Sequence, residues 1–132
     1  MAFFHMPPAE FKEAYEKMKL GDHSVIYEHG SIGEKDEYFG ISNRPPHFFE
    51  KAVDNGWLKW IFCGHDHLNT LSLTYKGIRM TYGMSIDYLG YSGIAKQYIQ
   101  RGATLITRKT DGNIDITMVP LKTAISTRVR GA

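Results

Sequence analysis

Apolar side chains recur at helical spacing in two segments of the first half of the chain. The first segment follows Pro7 and Pro8, which suit the opening positions of a helix, and it precedes Gly21, which suits a helix end. Its apolar residues stand at i, i+3, i+4 and i+7: Phe11, Ala14, Tyr15 and Met18. A second helix is predicted over residues 47–55, with an apolar face made of Phe49, Ala52 and Val53.

The pattern changes to that of strands after the second predicted helix. The run "WLKWIFC" is nearly all apolar, as expected for a strand covered on both faces. Two alternating runs flank Lys76-Gly77 and predict a hairpin, and the runs 103–108 and 114–119 predict another around the turn at 110–113. The sequence therefore predicts an α/β (α+β) fold, with two helices and a mostly antiparallel sheet of four or five strands.

Residues 22–46 show neither the helical spacing nor the strand alternation of apolar residues. They contain three glycines, two prolines and scattered charges. They are predicted to form a long polar loop on the surface, of the length that is usually functional or mobile. With 132 residues, 42% of them hydrophobic, the chain is expected to form a single domain over 1–132. Because its start, "MAFFHMPPAE", resembles the tail of a strand whose beginning is missing, we expect a fragment of a larger domain.

Charge and composition exclude several classes of function. The 16 basic and 14 acidic residues are spread along the chain, without the basic stripe of a nucleic-acid binder. No apolar run approaches the roughly 18 residues of a membrane span, and the start lacks a secretion signal, which favours the cytoplasm for the chain as given. The single cysteine, Cys63, forms no internal disulfide and is expected to be a buried apolar side chain.

Histidines follow two of the predicted strands. "IFCGHDHLN" sets His65 and His67 one residue apart after Gly64, which would permit a sharp backbone turn, and "FFHMP" sets His5 at another strand end. Two parallel strands that each end in a histidine would deliver both side chains to one edge of a sheet, where α/β folds place their sites. The alternative is that these are polar loop residues without chemistry.

Four segments together resemble a known family: "FFHMPPAEF", "GEKDE", "LKWIFCGHDHLN" and "YKGIRMTYGMSIDYLGY". They are similar to the C-terminal half of calcineurin-like metallophosphoesterases, in the branch of predicted phosphohydrolases related to purple acid phosphatases. The resemblance runs from about residue 3 to about residue 106. It implies half of a four-layer αββα sandwich, in which this chain supplies one sheet with two covering helices.

The resemblance also implies a reaction and its ligands. Such enzymes hold two metal ions, drawn from iron, zinc and manganese, and hydrolyse phosphate esters with a metal-activated hydroxide. By position, His5 and His65 would bind one metal and His67 the other. Asn69 would line the edge of the site and contact the substrate.

The chain departs from the family pattern in its ligand set. The D-x-H, G-D and G-N-H motifs, which supply a bridging aspartate and a phosphate-gripping asparagine, belong to an N-terminal half that is absent here, and Gly21-Asp22 is interpreted as a helix end and not as the G-D motif. The three histidines carry no negative charge to offset the repulsion between two close metals, and Asp66 is expected to turn its side chain away. We therefore expect weak binding of one metal at most, and no useful phosphatase rate from this chain alone.

Several partners and roles stay open at this stage. An uncovered sheet face would need the N-terminal half on another polypeptide or a homodimer partner, with the seam predicted at Leu71, Leu73, Ile78 and Met80. One rival function is a non-catalytic, oligomerising interaction module. Another is a one-metal hydrolase using His5, His65 and His67, for which no general base is evident.

Other side chains near these motifs are less specific. Three further histidines, any of which could protonate a leaving group, are not distinguished by spacing: His23, His29 and His47. Three tyrosines of the second half are expected to pack within loops rather than to contact substrate: Tyr82, Tyr88 and Tyr91.

Overall fold

The computed structural model describes residues 1–41, 47–97 and 99–121, which belong to two compact units, Met1–Gly83 and Met84–Ala132. The elements of the first unit are β1 (Ala2–Phe4), α1 (Ala9–Lys19), β2 (Val25–His29), α2 (His47–Asn55), β3 (Trp60–Cys63), β4 (Ser72–Tyr75) and β5 (Ile78–Tyr82). The second unit contains β6 (Gly102–Arg108) and β7 (Ile114–Pro120). Short 3₁₀ turns lie at Lys35–Glu37 and Ile94–Lys96. The predicted α+β class is confirmed, whereas a single domain over 1–132 stays a prediction.

The first unit is built on a five-stranded mixed sheet with the order β1-β3-β5-β4-β2. β3 pairs in parallel with both β1 and β5, and β4 pairs antiparallel with both β5 and β2. Antiparallel pairing also joins β6 to β7, which form a separate two-stranded sheet. The predicted parallel pairing of the two histidine-tipped strands is confirmed, and Phe4 stands opposite Cys63 where both strands end.

One face of the five-stranded sheet and the two helices enclose the core of the first unit. The helices contribute Phe11, Ala14, Phe49 and Ala52, all fully buried, as the helical spacing predicted. Burying each large apolar side chain contributes about 1.5–3 kcal/mol to folding, so this face provides most of the unit's cohesion. Among the described residues, no helix combines the length and apolarity that crossing a membrane requires.

The four residues predicted to form a dimer seam lie inside this core. Leu71, Leu73, Ile78 and Met80 are each 1% exposed or less and belong to the same buried cluster as the helix residues. The predicted seam is therefore wrong, because the helices already cover the apolar face that was expected to be free. A homodimer as such stays a prediction.

The segment predicted to be a long polar loop contains a strand. Val25–His29 form β2, which pairs with β4 at the edge of the sheet, so the loop prediction is wrong for these five residues. Only Val25 is buried, while Ile26 and Tyr27 are more than half exposed. An edge strand with so few buried side chains shows no clean alternation, which explains why its periodicity was missed. Residues 42–46 of the predicted loop lie outside the described residues.

Both predicted hairpins are confirmed. Lys76 and Gly77 connect β4 to β5 with φ angles of 49° and 77°, the pair of positive values that a two-residue type I′ turn requires. In the second unit, β6 and β7 pair continuously from Gly102 opposite Pro120 to Arg108 opposite Ile114.

Candidate metal centre

His5 and His65 meet at the edge of the sheet where β1 and β3 end. Beyond the last strand pair, the Gly64 N–H donates to the His5 carbonyl at 3.0 Å and continues the register by one residue. The His5 Nε2 and His65 Nδ1 atoms are then 3.1 Å apart, with the two rings nearly perpendicular. His5 is exposed and His65 is half-buried, so the pair faces solvent. The structure brings these two residues together, and their role as ligands stays a prediction.

The sharp turn expected at Gly64 is made by His65 itself. His65 has a φ of 69°, and the Asp66 N–H donates to the Gly64 carbonyl at 2.9 Å, which closes a three-residue γ-turn. Holding a non-glycine residue in this left-handed backbone conformation costs about 1–3 kcal/mol of strain, and the conformation persists only where the surrounding structure enforces it. The turn aims the His65 ring back toward His5.

Asp66 turns its side chain into the protein, as expected from the sequence. It is 5% exposed, and its Oδ2 atom accepts hydrogen bonds from the Tyr82 hydroxyl at 2.5 Å and the Gly40 N–H at 2.9 Å. Burial and the neighbouring Asp66 carboxylate raise the pKa of Tyr82 far above its usual range. The phenol therefore stays protonated at neutral pH and donates to Asp66.

Asn69 connects two loops through hydrogen bonds formed inside the protein. It is fully buried, and its Oδ1 atom accepts the N–H groups of Gly33 and Glu34 at 3.0 and 3.1 Å. Its Nδ2 atom donates to the Tyr38 carbonyl at 3.1 Å, and Glu34 in return accepts the Leu68 N–H at 3.0 Å. These bonds give Asn69 a structural role inside the protein, and its predicted substrate contact stays a prediction.

Backbone contacts extend this attachment along residues 30–41, here called the clasp segment. Its Ser31 carbonyl accepts the Thr70 N–H at 2.9 Å, and the Ser31 N–H donates to the Thr70 hydroxyl. Gly30 has a φ of 80°, and a Cβ there would lie 2.0 Å from the Thr70 carbonyl oxygen. Only glycine fits this close approach. Together with the two Ser31–Thr70 hydrogen bonds, it lets the clasp segment pack directly against the loop that carries His65 and His67.

The separation of the His5 and His65 nitrogens fits a shared metal ion. With metal–nitrogen bonds of about 2.0–2.1 Å, two imidazoles on one metal stand about 2.9 Å apart at a right angle and about 3.4 Å apart at a tetrahedral angle. The observed 3.1 Å lies between these values. Within residues 1–41, 47–97 and 99–121, however, no group of three or more His, Cys, Asp or Glu side chains could hold a metal ion. His67, half-buried in the same loop, therefore does not complete a three-histidine site there.

The remaining histidines do not join the pair. His23 is exposed in the turn before β2, and His47 is exposed at the start of α2. His29 faces Arg79, whose Nη2 lies 3.2 Å from His29 Nδ1. Burial, and next the Arg79 charge, lower the pKa of His29, which favours a neutral ring with Nδ1 as the acceptor. None of these contacts identifies a proton donor for a leaving group.

Cys63 is buried as the sequence predicts, whereas Tyr82 belongs to β5 and not to a loop. Cys63 is buried, and burial raises the pKa of its thiol above the ordinary range, which keeps it unreactive. Tyr82 is completely buried and stacks on Phe11. Tyr88 and Tyr91, in the second unit, are 42% and 44% exposed.

Comparison with known proteins gives distant and partial similarities. No family model matches the sequence, and no solved structure is significantly similar to it. The chain is 28% identical over 91 residues to the Arabidopsis thaliana protein named "Probable inactive purple acid phosphatase 29", which covers 69% of this chain and 21% of that protein. It is 38% identical over 47 residues to "Probable inactive purple acid phosphatase 14" of the same plant, covering 36% of this chain and 12% of that protein.

These similarities support a phosphoesterase-related family at a distance. The chain spans about a fifth or less of the length of the curated relatives it matches. Both of those proteins carry the word inactive in their names. The resemblance to purple acid phosphatase-like proteins is therefore supported at a coarse level, while a metal site and an activity need direct tests.

Proposed function

We propose that His5 and His65 bind one divalent metal ion, and that the chain forms part of a metal-dependent phosphoesterase site. The observation that carries this proposal is the 3.1 Å approach of His5 Nε2 to His65 Nδ1 at the ends of two in-register parallel strands. The sheet fixes where each backbone ends, and the γ-turn at His65 aims its ring, so the pair is arranged before any metal binds. Pre-arranged ligands lose less entropy on binding than ligands on mobile loops.

The chemistry of the bound metal would be that of a Lewis acid acting on a phosphate ester and a water molecule. His5 and His65 would act as neutral donors, and His67 would serve a second metal. That second site requires carboxylate ligands, because two close cations repel each other, and the described residues provide no such cluster. The proposal therefore assigns those ligands to residues outside these 132, and predicts that the 132-residue chain does not hydrolyse phosphate esters by itself.

The proposal is tested by titrating zinc and manganese into the chain in a calorimeter. We expect one equivalent to bind, and the variants His5→Ala and His65→Ala to lose that binding because each removes one of two ligands. His23→Ala is the matched control, since it removes an exposed histidine outside the pair and should bind metal as the wild type does. An assay with p-nitrophenyl phosphate in the presence of either metal should show no rate above that of the metal alone.

Several results would contradict the proposal. Unchanged metal binding in His5→Ala and His65→Ala would show that the pair is not the site. Tight binding of two equivalents would show that the chain contains a complete dinuclear site. For the phosphoesterase part, the coding region upstream can be inspected for D-x-H, G-D and G-N-H motifs in the same frame or in a neighbouring gene, and their absence from both would count against it.

A second candidate function is a non-catalytic module that retains the histidines without hydrolysing any ester. The names of the two plant relatives favour it, since both are described as inactive. In this case the 3.1 Å contact would be an imidazole–imidazole hydrogen bond in the absence of metal. Metal titration separates the two candidates, because only the first predicts saturable binding that depends on both His5 and His65.

A further inference from the structure

The turn that carries His65 is strained, and a buried carboxylate lies directly after it. A φ of 69° at a non-glycine residue requires support from the surrounding structure. Asp66, the next residue, provides an anchor because its side chain is 5% exposed and fixed by two hydrogen bonds. Fixing residue 66 limits how far the backbone of His65 can relax toward an unstrained conformation.

The first of these hydrogen bonds connects the turn to the core of the sheet. Tyr82 lies at the end of β5, opposite Cys63 in the register of β3, and its hydroxyl donates to Asp66 Oδ2 at 2.5 Å. The Tyr82 ring is completely buried and stacks on Phe11 of α1, with ring centroids 4.9 Å apart. The hydroxyl is therefore held in place by a ring packed in the core of the first unit.

The second hydrogen bond places the backbone of Gly40 against the His65 ring. The Gly40 N–H donates to Asp66 Oδ2 at 2.9 Å. A Cβ on residue 40 would lie 2.0 Å from His65 Cδ2 and 2.7 Å from Asp66 Oδ1. The φ of Gly40 is not in the left-handed region, so the requirement for glycine here comes from the space that the His65 ring occupies.

We infer that Asp66, Tyr82 and Gly40 are positioning residues, which hold the His65 ring at the distance from His5 that one shared metal ion requires. The inference rests on the proposed function, since it concerns the same histidine pair. These residues act through His65 and do not themselves contact the metal. The competing explanation is that the Tyr82–Asp66 hydrogen bond only stabilises the fold.

A pair of tyrosine variants separates the two explanations. Tyr82→Phe removes the hydroxyl that anchors Asp66 and keeps the ring that stacks on Phe11. Tyr75→Phe is the matched control, because Tyr75 is also buried in the same core and donates to a carboxylate, Glu13 Oε1, at 2.8 Å. Both variants lose one tyrosine–carboxylate hydrogen bond, but only the first of these carboxylates, Asp66, directly follows the turn at His65.

Two readouts are compared for wild type and both variants. Calorimetry with zinc measures affinity, and outer-shell partners of metal ligands typically change it about 10- to 100-fold. We therefore expect Tyr82→Phe to weaken zinc binding about tenfold or more, and Tyr75→Phe to stay within about twofold of wild type. In the metal-free protein, we expect the nuclear Overhauser effect between the His5 and His65 ring protons to disappear in Tyr82→Phe and to persist in Tyr75→Phe.

The outcomes distinguish this inference from the proposed function. Equal zinc affinities and equal ring contacts in the two variants would overturn the inference and leave metal binding by the pair intact. If wild type binds no zinc, the proposed function fails, and the ring contacts alone still decide whether Asp66 and Tyr82 position His65.

A second variant keeps the inference testable if Tyr82→Phe does not fold. Gly40→Ala keeps every hydroxyl and carboxylate but places a methyl group where the His65 ring lies. Gly64→Ala is its control beside His65, because, chain neighbours aside, the nearest heavy atom to the new Cβ would be the His5 carbonyl oxygen at 3.9 Å. We expect Gly40→Ala to weaken zinc binding and Gly64→Ala to preserve it, and a Gly40→Ala protein with wild-type affinity and ring contacts would overturn the inference.

Discussion

Asp66 and Asn69 flank His67 at one and two residues' distance, and both point their polar side chains into the protein. Asp66 bonds to groups 16 and 26 residues away, and Asn69 bonds to the clasp segment 31 to 36 residues away. His65, between Gly64 and Asp66, is turned toward the other strand end. Within residues 64–69, Asp66 and Asn69 therefore hold the loop in place, and His65 faces His5.

The structural role of Asn69 leads to a prediction about stability. Asn69→Ala should lower the free energy of unfolding by about 1–3 kcal/mol, because it removes a fully buried side chain and leaves two part-buried N–H donors and the Tyr38 carbonyl without their partner. Urea denaturation measures this loss. Asn55→Ala is the control, since Asn55 is exposed and makes one bond to the Lys51 carbonyl, and it should cost at most about 0.5 kcal/mol. A loss at Asn69 no larger than that at Asn55 would contradict the role assigned here.

At the residue scale, the sequence predicted which histidines meet, but it did not predict the contacts of the residues around them. His5 and His65 could be paired because each follows an apolar run, and the topology of parallel strands brings such ends together. The contacts of Asp66, Asn69 and Gly40 depend on how the clasp segment folds back over the loop. Local spacing does not encode that path, so the bonds that Asn69 makes to the clasp segment could not be predicted from the sequence.

At the scale of elements, the sequence correctly predicted the helices, which bury one face, and the hairpin whose turn contains a glycine. α1 and α2 were predicted because their buried residues recur every three or four positions, and the hairpin at Lys76-Gly77 because glycine readily adopts a positive φ. β2 was missed because its pairing comes from backbone hydrogen bonds at a sheet edge, which need no apolar side chains.

The hairpin between β4 and β5 gives a prediction with opposite signs at adjacent positions. Gly77→Ala should destabilise the protein by about 1 kcal/mol, because alanine must adopt a φ of 77° with nothing else nearby to clash. Lys76→Asn should instead stabilise it by roughly a few tenths of a kcal/mol, since asparagine accepts the φ of 49° more readily than lysine. Thermal or urea unfolding measures both, and changes of the same sign would argue against a type I′ turn.

At the scale of the whole molecule, the residues predicted as a dimer seam are buried in the core, so an oligomer would have to use another surface. Met80 is fully buried beneath the helices, so Met80→Ala should lower the free energy of unfolding by about 2–5 kcal/mol through the cavity it leaves. Sedimentation of the folded variant should match that of wild type. Leu20→Ala, at a residue that is 88% exposed, should change neither quantity. A Met80→Ala protein of normal stability with an altered association state would restore the predicted seam.

The contact between His5 and His65 has a consequence for the topology of the chain. These residues are 60 positions apart, and His5 follows a strand of only three residues at the edge of the sheet. A metal ion held by both would link residues 5 and 65 and so close a loop of the chain. A permanent crosslink closing such a loop would reduce the entropy of the unfolded chain by the equivalent of about 4 kcal/mol at 25 °C. A bound metal would then act as a removable crosslink, so that β1, which already pairs with β3 without metal, would be harder to detach while the metal is bound.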